Sequence, residues 1–377
     1  MKIVLASDWW PPRVGGLESQ IVDLASALAA RGHTVHVLTA MPGAEALPGV
    51  TVERMPVPLV GDVAVPDLRR VAAIAERIAA QSPHVVHAHG LFSTFATGAV
   101  LAASRLRIAS VASIHSLLRP WPVFTGGAAI LRVFLRRADT LTGVSRAVAS
   151  DVARASGRNA RWIPNGIHLQ EWRLPRNPAT AEGVRLVAAM RLAAKKEPRD
   201  HVDALRAAVT ARPEADVTLT VAGDGPERGA IVARAAQLGV SDRLTLLGAC
   251  GRSDVRDLLS KASVFLQPGA SEAFGLAILE ARAAGVPIVA MDAAGVPELV
   301  EHGRHGLLAR TRHEFAAAAA TLVSDDDLRA ACARQAPIGL ERYDWTTVVE
   351  EHEAAYAAAI EARRHRVGVV APSVSRL

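Results

Sequence analysis

The chain is short of aromatic residues, of cysteine and of long uncharged runs, and each shortage excludes something. Aromatic side chains make up 4% of the 377 residues, so the core must be built from Ala, Val, Leu and Ile. Such a core suits closely packed helix-on-sheet layers. Cysteine occurs only at Cys250 and Cys332, which excludes a disulfide scaffold and fits a reduced cytoplasm. The longest stretch without Asp, Glu, Lys or Arg is Ile78 to Ser104. It contains Pro83 and three histidines, so it reads as a helix end, a buried strand and the next helix, not as a membrane span. Only Ile3 to Ala6 separate Lys2 from Ser7 and Asp8, too few apolar residues for an export signal.

What is present is apolar residue in quantity, 50% of the chain, which excludes disorder. The length predicts two domains of similar size, each able to bury a core. Forty-three basic against thirty-seven acidic residues give a net charge of +6. That excess favours an anionic partner: phosphates, a nucleotide or a lipid surface.

Strand and helix patterns alternate throughout. Ile3 to Ser7 is a buried-strand run, a Pro/Gly loop covers Asp8 to Gly16, and a helix is expected from about Leu17 to Arg31. Strands are expected at Thr34 to Thr39, Val50 to Arg54, His84 to His87, Ile108 to Ile114 and Thr140 to Val144. Short apolar strands separated by helices indicate parallel βαβ units covered on both faces. Pro164, Asn165-Gly166, Pro175 and Pro178 then mark a junction ending near Gly183. The pattern restarts with strands at Arg185 to Ala189, Val217 to Ala222, Leu244 to Leu247, Val264 to Gln267 and Pro287 to Ala290. Helices are expected at His201 to Ala211 and Pro226 to Leu238. The expectation is α/β: two doubly wound, Rossmann-like domains, 1–175 and 183–345, facing across a cleft, with a C-terminal helix at about 346–377 completing the first. Ligands of such sheets bind at the carboxyl ends of strands.

Several segments carry chemistry. Gly15 and Gly16 open a helix after the first strand, so they are either a tight turn or an anion site made of bare N–H groups. Gly223-Asp224-Gly225 lacks the third glycine of a dinucleotide fingerprint, because Arg228 stands there. Arg191 and Lys196 follow the first strand of the second domain. On a regular helix they would lie roughly 140° apart, so acting on one diphosphate requires a loop between them; two surface cations are the alternative. Ser271 to Ala281 holds Glu272 at a helix start and Glu280 about two turns later on an apolar helix. If the helix were continuous, eight residues would rise about 12 Å. A hydrolase pair needs roughly 5 Å or 6.5–9.5 Å, so the two acids would instead touch different ends of one long ligand. An N-cap acid and a solvated Glu remain the alternative. His87 and His89 share a strand face with no third metal ligand in view, which favours a structural role. Asp325-Asp326-Asp327 matches the D-x-D of metal-dependent transferases in form, yet reads as an N-cap cluster.

The Glu272/Glu280 segment resembles the E-x7-E motif of retaining GT-B glycosyltransferases of glycosyltransferase family 4, which includes phosphatidylinositol mannosyltransferase-like enzymes. The resemblance extends over about residues 1 to 350. It is carried by Pro11-Pro12 with Gly15-Gly16 and Glu18, Val85 to His89, Ile114-His115, Pro164 to Ile167, Arg191 with Lys196, Gly223 to Pro226, and Gly295 to Glu298. It implies that Glu280 binds the ribose of a nucleoside diphosphate sugar. Glu272, with the backbone of Phe274, Gly275 and Leu276, would hold the transferred sugar and the diphosphate. By the same resemblance Arg191 and Lys196 neutralise the diphosphate, Gly15 and Gly16 lie at the donor, and His115 contacts the sugar near its reacting face. Met190 and Glu197 depart from the family's glycines before the Arg and after the Lys.

The function expected is metal-independent, retaining transfer of a sugar from a UDP- or GDP-sugar to a sugar, lipid or small-molecule acceptor. No cofactor, metal or nucleic acid is expected. A GT-B sugar-nucleotide epimerase and a non-catalytic sugar-binding protein are the alternatives. Arg132, Arg136 and Arg137 beside Ile130, Leu131, Phe134 and Leu135, and Arg69, Arg70 and Arg77 on another helix, are candidates for contact with anionic membrane from the cytoplasmic side. Ordinary solvated helix faces are the alternative there.

Overall fold

Strand β1 (Lys2–Ser7) is buried from Ile3 onward, and its side chains alternate between two hydrophobic layers, as a pleated strand requires. Ile3 and Leu5 pack with Ile21, Leu24 and Leu28 of the helix Gly16–Ala30 and with Val348 and Tyr356 near the C-terminus. Val4 and Ala6 point the other way, onto Ile74, Ile78, Phe95 and Ala99. A strand covered on both faces has no solvent side, which is why it reads as an unbroken apolar run. Burying each Ile, Leu or Val contributes about 1.5–3 kcal/mol, so a single Leu5→Asp change would break this centre. The computed structural model describes residues 1–13, 15–44, 46–56, 59–60, 63–64, 68–90, 94–118, 132, 134–175 and 183–368.

These residues form two units, Met1–Gly166 with the chain from Trp345, and Ile167–Asp344. The first contains β1, β2 (Thr34–Thr39), β3 (Val50–Arg54), a small antiparallel pair β4 (Leu59–Val60) and β5 (Val63–Ala64), then β6 (Val85–His89), β7 (Ala109–Ile114), β8 (Thr140–Gly143) and β9 (Arg161–Trp162). Its main sheet runs β3-β2-β1-β6-β7-β8-β9, parallel throughout. The long helix Trp345–Gly368 returns to this unit and places Trp345, Val348, Val349 and Tyr356 in its core.

The second unit contains β10 (Gly183–Ala189), β11 (Asp216–Ala222), β12 (Leu244–Gly248), β13 (Val264–Gln267), β14 (Ile288–Met291) and β15 (Gly306–Ala309). They are ordered β12-β11-β10-β13-β14-β15, again all parallel. In each sheet the order reverses beside the first strand, at β1 and at β10. The loops leaving the carboxyl ends there splay apart and leave room for a ligand.

Two local readings need correction. β4, β5, β9 and β15 have no counterpart among the expected strands: the first three are two residues long, and β15 is an edge strand only partly covered. The helix expected to begin near Glu272 runs only Leu276–Ala283, behind an N-cap Gly275 in the left-handed region at φ 97. Glu272 therefore precedes the helix, and the helical rise between it and Glu280 does not apply.

Candidate functional site

The second unit brings two of the expected charged residues, Lys196 and Glu272, together in the loops that follow adjacent strands. β10 and β13 are direct neighbours. Beyond β10 the chain runs from Met190 through a short 3-10 turn, Ala194–Lys196. Beyond β13 it passes Pro268 and Gly269 to Glu272. Lys196 Nζ donates to Glu272 Oε2 at 2.5 Å, and Gln267 Nε2 donates to the same oxygen at 3.1 Å. Both charged side chains are largely covered, 24% exposed for Lys196 and 16% for Glu272, so water screens the pair less than it would at an open surface. Arg191 is exposed on the loop between β10 and that turn, and Glu280 is partly exposed on the following helix.

The supporting backbone explains two sequence signals. Gly223 and Gly225 hold the Arg191 loop: a Cβ on either would meet Met190 O at 1.7 Å or Leu192 O at 2.5 Å. Met190 and Leu192 N–H donate to Ala222 O and Asp224 O, and Glu227 N–H donates to Leu192 O. Gly223-Asp224-Gly225 is thus a scaffold for the loop. Gly295 N–H donates to Glu272 O at 3.0 Å and ties the Gly295 to Glu298 motif to the turn that carries Glu272. Phe274 is buried and meets the Tyr343 ring edge-on at 6.0 Å between centroids. Arg282, buried on the Glu280 helix, rivets it through carbonyls of Ala336 and Ile338.

In the first unit His115 follows β7, and its Nε2 lies 3.2 Å from His89 Nδ1. His87 bonds Tyr356 Oη through Nδ1 at 2.9 Å and Ser113 Oγ through Nε2 at 2.6 Å. His352 completes the cluster, 5.3 Å from His87 between ring centroids. The rings of His89, His115 and His352 border a small cavity of about 10 Å³. Burial pushes the His115 pKa down to about 4 and that of His352 to about 3, and holds His87 and His89 well below the usual histidine value, with mutual repulsion adding to the effect in all but His115. His115 keeps some exposed surface and is a neutral hydrogen-bonding group at pH 7, a poor general base. The partnership of His89 and His352 with His115 was not foreseen. The His-x-His spacing hinted at His89, but nothing local announces a histidine more than two hundred residues away.

Gly15 caps the helix Gly16–Ala30, and Glu18 in its first turn pairs with Arg13 at 2.9 Å. Arg13 in turn lies 3.7 Å above the Trp9 ring. A carboxylate therefore already faces this positive helix end. Asp8 is 1% exposed at the end of β1, and burial raises its pKa to about 7. Asp325 caps the helix Asp326–Gln335 by accepting from Leu328 N–H, and Asp326 pairs with Arg212; the D-x-D match is a capping cluster. Among the described residues no group of His, Cys, Asp and Glu is arranged to hold a metal, and no helix is long and apolar enough to cross a membrane. Of the basic faces, Ile130 and Leu131 lie outside the described residues, Arg136 donates to Ser156 O, and Arg77 pairs with Glu53.

Comparison with known proteins agrees with this architecture. Residues 14–171 match the model of Glycosyltransferase Family 4, and residues 176–338 match that of Glycosyl transferases group 1. The chain is 26% identical over 318 residues to one component of the human phosphatidylinositol N-acetylglucosaminyltransferase, covering 79% of this chain and 63% of that protein. It is 26% identical to N-acetyl-alpha-D-glucosaminyl L-malate synthase of Bacillus anthracis over 368 residues, 92% of this chain and 94% of that one. It is 28% identical to the GDP-mannose-dependent alpha-(1-6)-phosphatidylinositol monomannoside mannosyltransferase of Mycobacterium tuberculosis over 381 residues, 92% and 94% of the two chains. Among solved structures, Anabaena HepE in complex with UDP-glucose superposes with a TM-score of 0.76 at 23% identity, over 95% of this chain and 100% of that one. The lipopolysaccharide glycosyltransferase WaaG gives 0.72 at 18% identity, over 94% and 99%.

Two doubly wound parallel sheets in one chain are the GT-B architecture of glycosyltransferases. The two matching models lie end to end along this chain, which belongs to glycosyltransferase family 4.

Proposed function

We propose that the protein transfers a glycosyl group from a nucleoside diphosphate sugar to an acceptor hydroxyl, with retention at the anomeric carbon and without a metal ion. The observation that carries this reading is the Lys196–Glu272 contact at the carboxyl ends of adjacent strands. It sets a cation for the diphosphate beside a carboxylate for the sugar. Arg191 and Lys196 stabilise the leaving diphosphate by preorganised charge. Glu272 and the backbone of Phe274, Gly275 and Leu276 hold the sugar and diphosphate, and Glu280 holds the ribose. In the first unit, His115 donates a neutral hydrogen bond to the sugar, and Gly15 and Gly16 offer backbone N–H groups to the donor.

The C1–O bond to phosphate breaks as the acceptor oxygen bonds C1 on the same face, and the acceptor proton passes to the departing phosphate oxygen. This needs no histidine base, in keeping with the depressed pKa of His115. The relatives support a UDP- or GDP-sugar as donor: HepE is solved with UDP-glucose, and the mycobacterial relative is named as GDP-mannose-dependent. Relatives named for phosphatidylinositol support contact with an anionic membrane, and with it we propose a place in the cytoplasm at the membrane's inner face. Flotation with anionic vesicles at low salt tests that placement, and binding no better than to neutral vesicles contradicts it.

A melting panel with UDP-, GDP-, ADP- and TDP-sugars tests the donor, because a ligand that binds the folded state raises its melting temperature by mass action. One base should stand out, and transfer or slow hydrolysis should follow with that donor. A new epimer would instead mark an epimerase, and an unchanged ligand a binding protein.

A further inference from the structure

Glu197, next to Lys196, adopts a conformation that disfavours any residue with a Cβ. It lies in the left-handed region at φ 51, ψ 47, where the side chain crowds the following carbonyl. Strain of this kind persists where surrounding contacts hold it, and the contacts are present. One carboxylate oxygen of Glu197 accepts from Arg312 Nη2 at 2.8 Å, and the other accepts from Ala270 N–H at 3.4 Å. Arg312 is the first residue of the helix Arg312–Ser324, and its Nε lies 3.2 Å from Asp200 Oδ2.

The same two loops touch directly. A Cβ on Gly269 would lie 3.3 Å from both Lys196 Cα and Lys196 O, so the backbones meet there. The Lys196 turn and the loop from Gly269 to Glu272 are therefore joined in two ways. One is the Lys196–Glu272 pair, and the other is the Glu197 carboxylate, anchored on Arg312. The first must be exchanged when Lys196 turns to a phosphate. The second involves no group that a ligand would claim.

We propose that Glu197 is a positioning residue that, with Arg312, clasps the Lys196 turn to the Ala270–Glu272 loop. Lys196 can then leave Glu272 for a diphosphate without the two loops separating. This rests on the reading of Lys196 as a phosphate ligand. The left-handed backbone is the cost of placing a carboxylate where it can bridge the loops. Arg312 also cancels the negative charge that Glu197 would otherwise set beside an incoming diphosphate.

Glu197→Gly removes the clasp and relieves the backbone, whereas Glu197→Gln keeps an acceptor oxygen for only one of its two partners, Arg312 or Ala270 N–H. In ligand-free protein, amide exchange in the 268–276 segment should rise in Glu197→Gly and rise less in Glu197→Gln. Binding of UDP and GDP, measured by calorimetry, should weaken about fivefold in Glu197→Gly, the size of one net hydrogen bond, at an equal or higher melting temperature. Glu197→Gln should bind between the parent and Glu197→Gly. Arg312→Ala should weaken binding in the parent and add little in the Glu197→Gly background. Unchanged exchange in Glu197→Gly overturns the clasp. Changed exchange with parent-like nucleotide binding overturns the positioning role. A parent that binds neither nucleotide overturns the ligand half along with the reading it rests on, and the exchange result then decides the clasp by itself.

Discussion

Two clusters, one in each unit, handle their polar groups in opposite ways. The first buries them neutral: His87, His89, His115 and His352 share one cluster and all are held below the ordinary histidine pKa. The second keeps them charged and paired near water: Lys196 with Glu272, Arg312 with Glu197 and Asp200, Arg234 with Asp203. Neutral buried donors give fixed direction without attracting ions. Paired charges give a site whose own carboxylate keeps the cation in place until an anion displaces it. On the proposed reading the clusters have separate jobs, orienting a neutral sugar and receiving a diphosphate. Acid should then injure the first unit more than the second, where His201 and His305 are also held down to about 4, while changes of charge injure the second.

The largest expected effect is on the second unit. Glu272→Gln keeps the shape and should lower kcat by about 10² or more, as for loss of a preorganised transition-state contact. Binding of free nucleoside diphosphate should not weaken, and it should tighten by up to about threefold because Lys196 loses its competing partner. Weakened diphosphate binding in this variant would contradict the assignment of Glu272 to the sugar.

Acid should act on the first unit. Its buried histidines are neutral when folded and protonate near 6.5 when unfolded, so the unfolded chain binds more protons below that pH. Stability is full above about 6.5 and falls as the pH drops towards the folded value, about 4 for His115. Asp8, raised to about 7, works the other way and offsets part of the loss, because its folded form favours the proton. The net loss between pH 7 and pH 5 should be several kcal/mol, or about 10 °C in the melting temperature of this unit. Calorimetric melting at the two pH values checks it, and an unchanged first-unit transition would mean the histidines do not stay neutral.

A smaller effect separates the two glutamates. As the ribose ligand proposed, Glu280 would touch a part of the donor that changes little as the glycosidic bond breaks. Glu280→Gln should therefore raise the donor KM by about tenfold with kcat nearly kept, and should weaken free diphosphate binding alike. Equal weakening in Glu272→Gln and Glu280→Gln would erase the division between them.

Much of the fold was legible because the central strands are covered on both faces and read as continuous apolar runs. Val264 to Gln267 and Thr34 to Thr39 lie where expected. β15 was missed because it is an edge strand covered on only part of its length and opened by a glycine, so it lacks the apolar run of the central strands. In the site, Arg191, Lys196 and Glu272 were legible as charges after strands, and the need for a loop between the first two was a matter of helical geometry. The Gly275 cap was not foreseen: glycine before an apolar run looks like ordinary helix, and only its left-handed φ reveals that the helix begins there. The clasp was invisible because Arg312 lies over a hundred residues from Glu197. The departure at Glu197 was visible as a residue, not as a contact.

The most direct test follows the anomeric carbon. The protein, treated with EDTA, is incubated with the donor that most raises its melting temperature, and the anomer first released or transferred is read by NMR. The account predicts that turnover survives EDTA within about twofold, since Arg191 and Lys196 supply the charge a metal would, and that an α-linked donor gives an α product. Loss of turnover restored by Mn²⁺, or a β product, would contradict it.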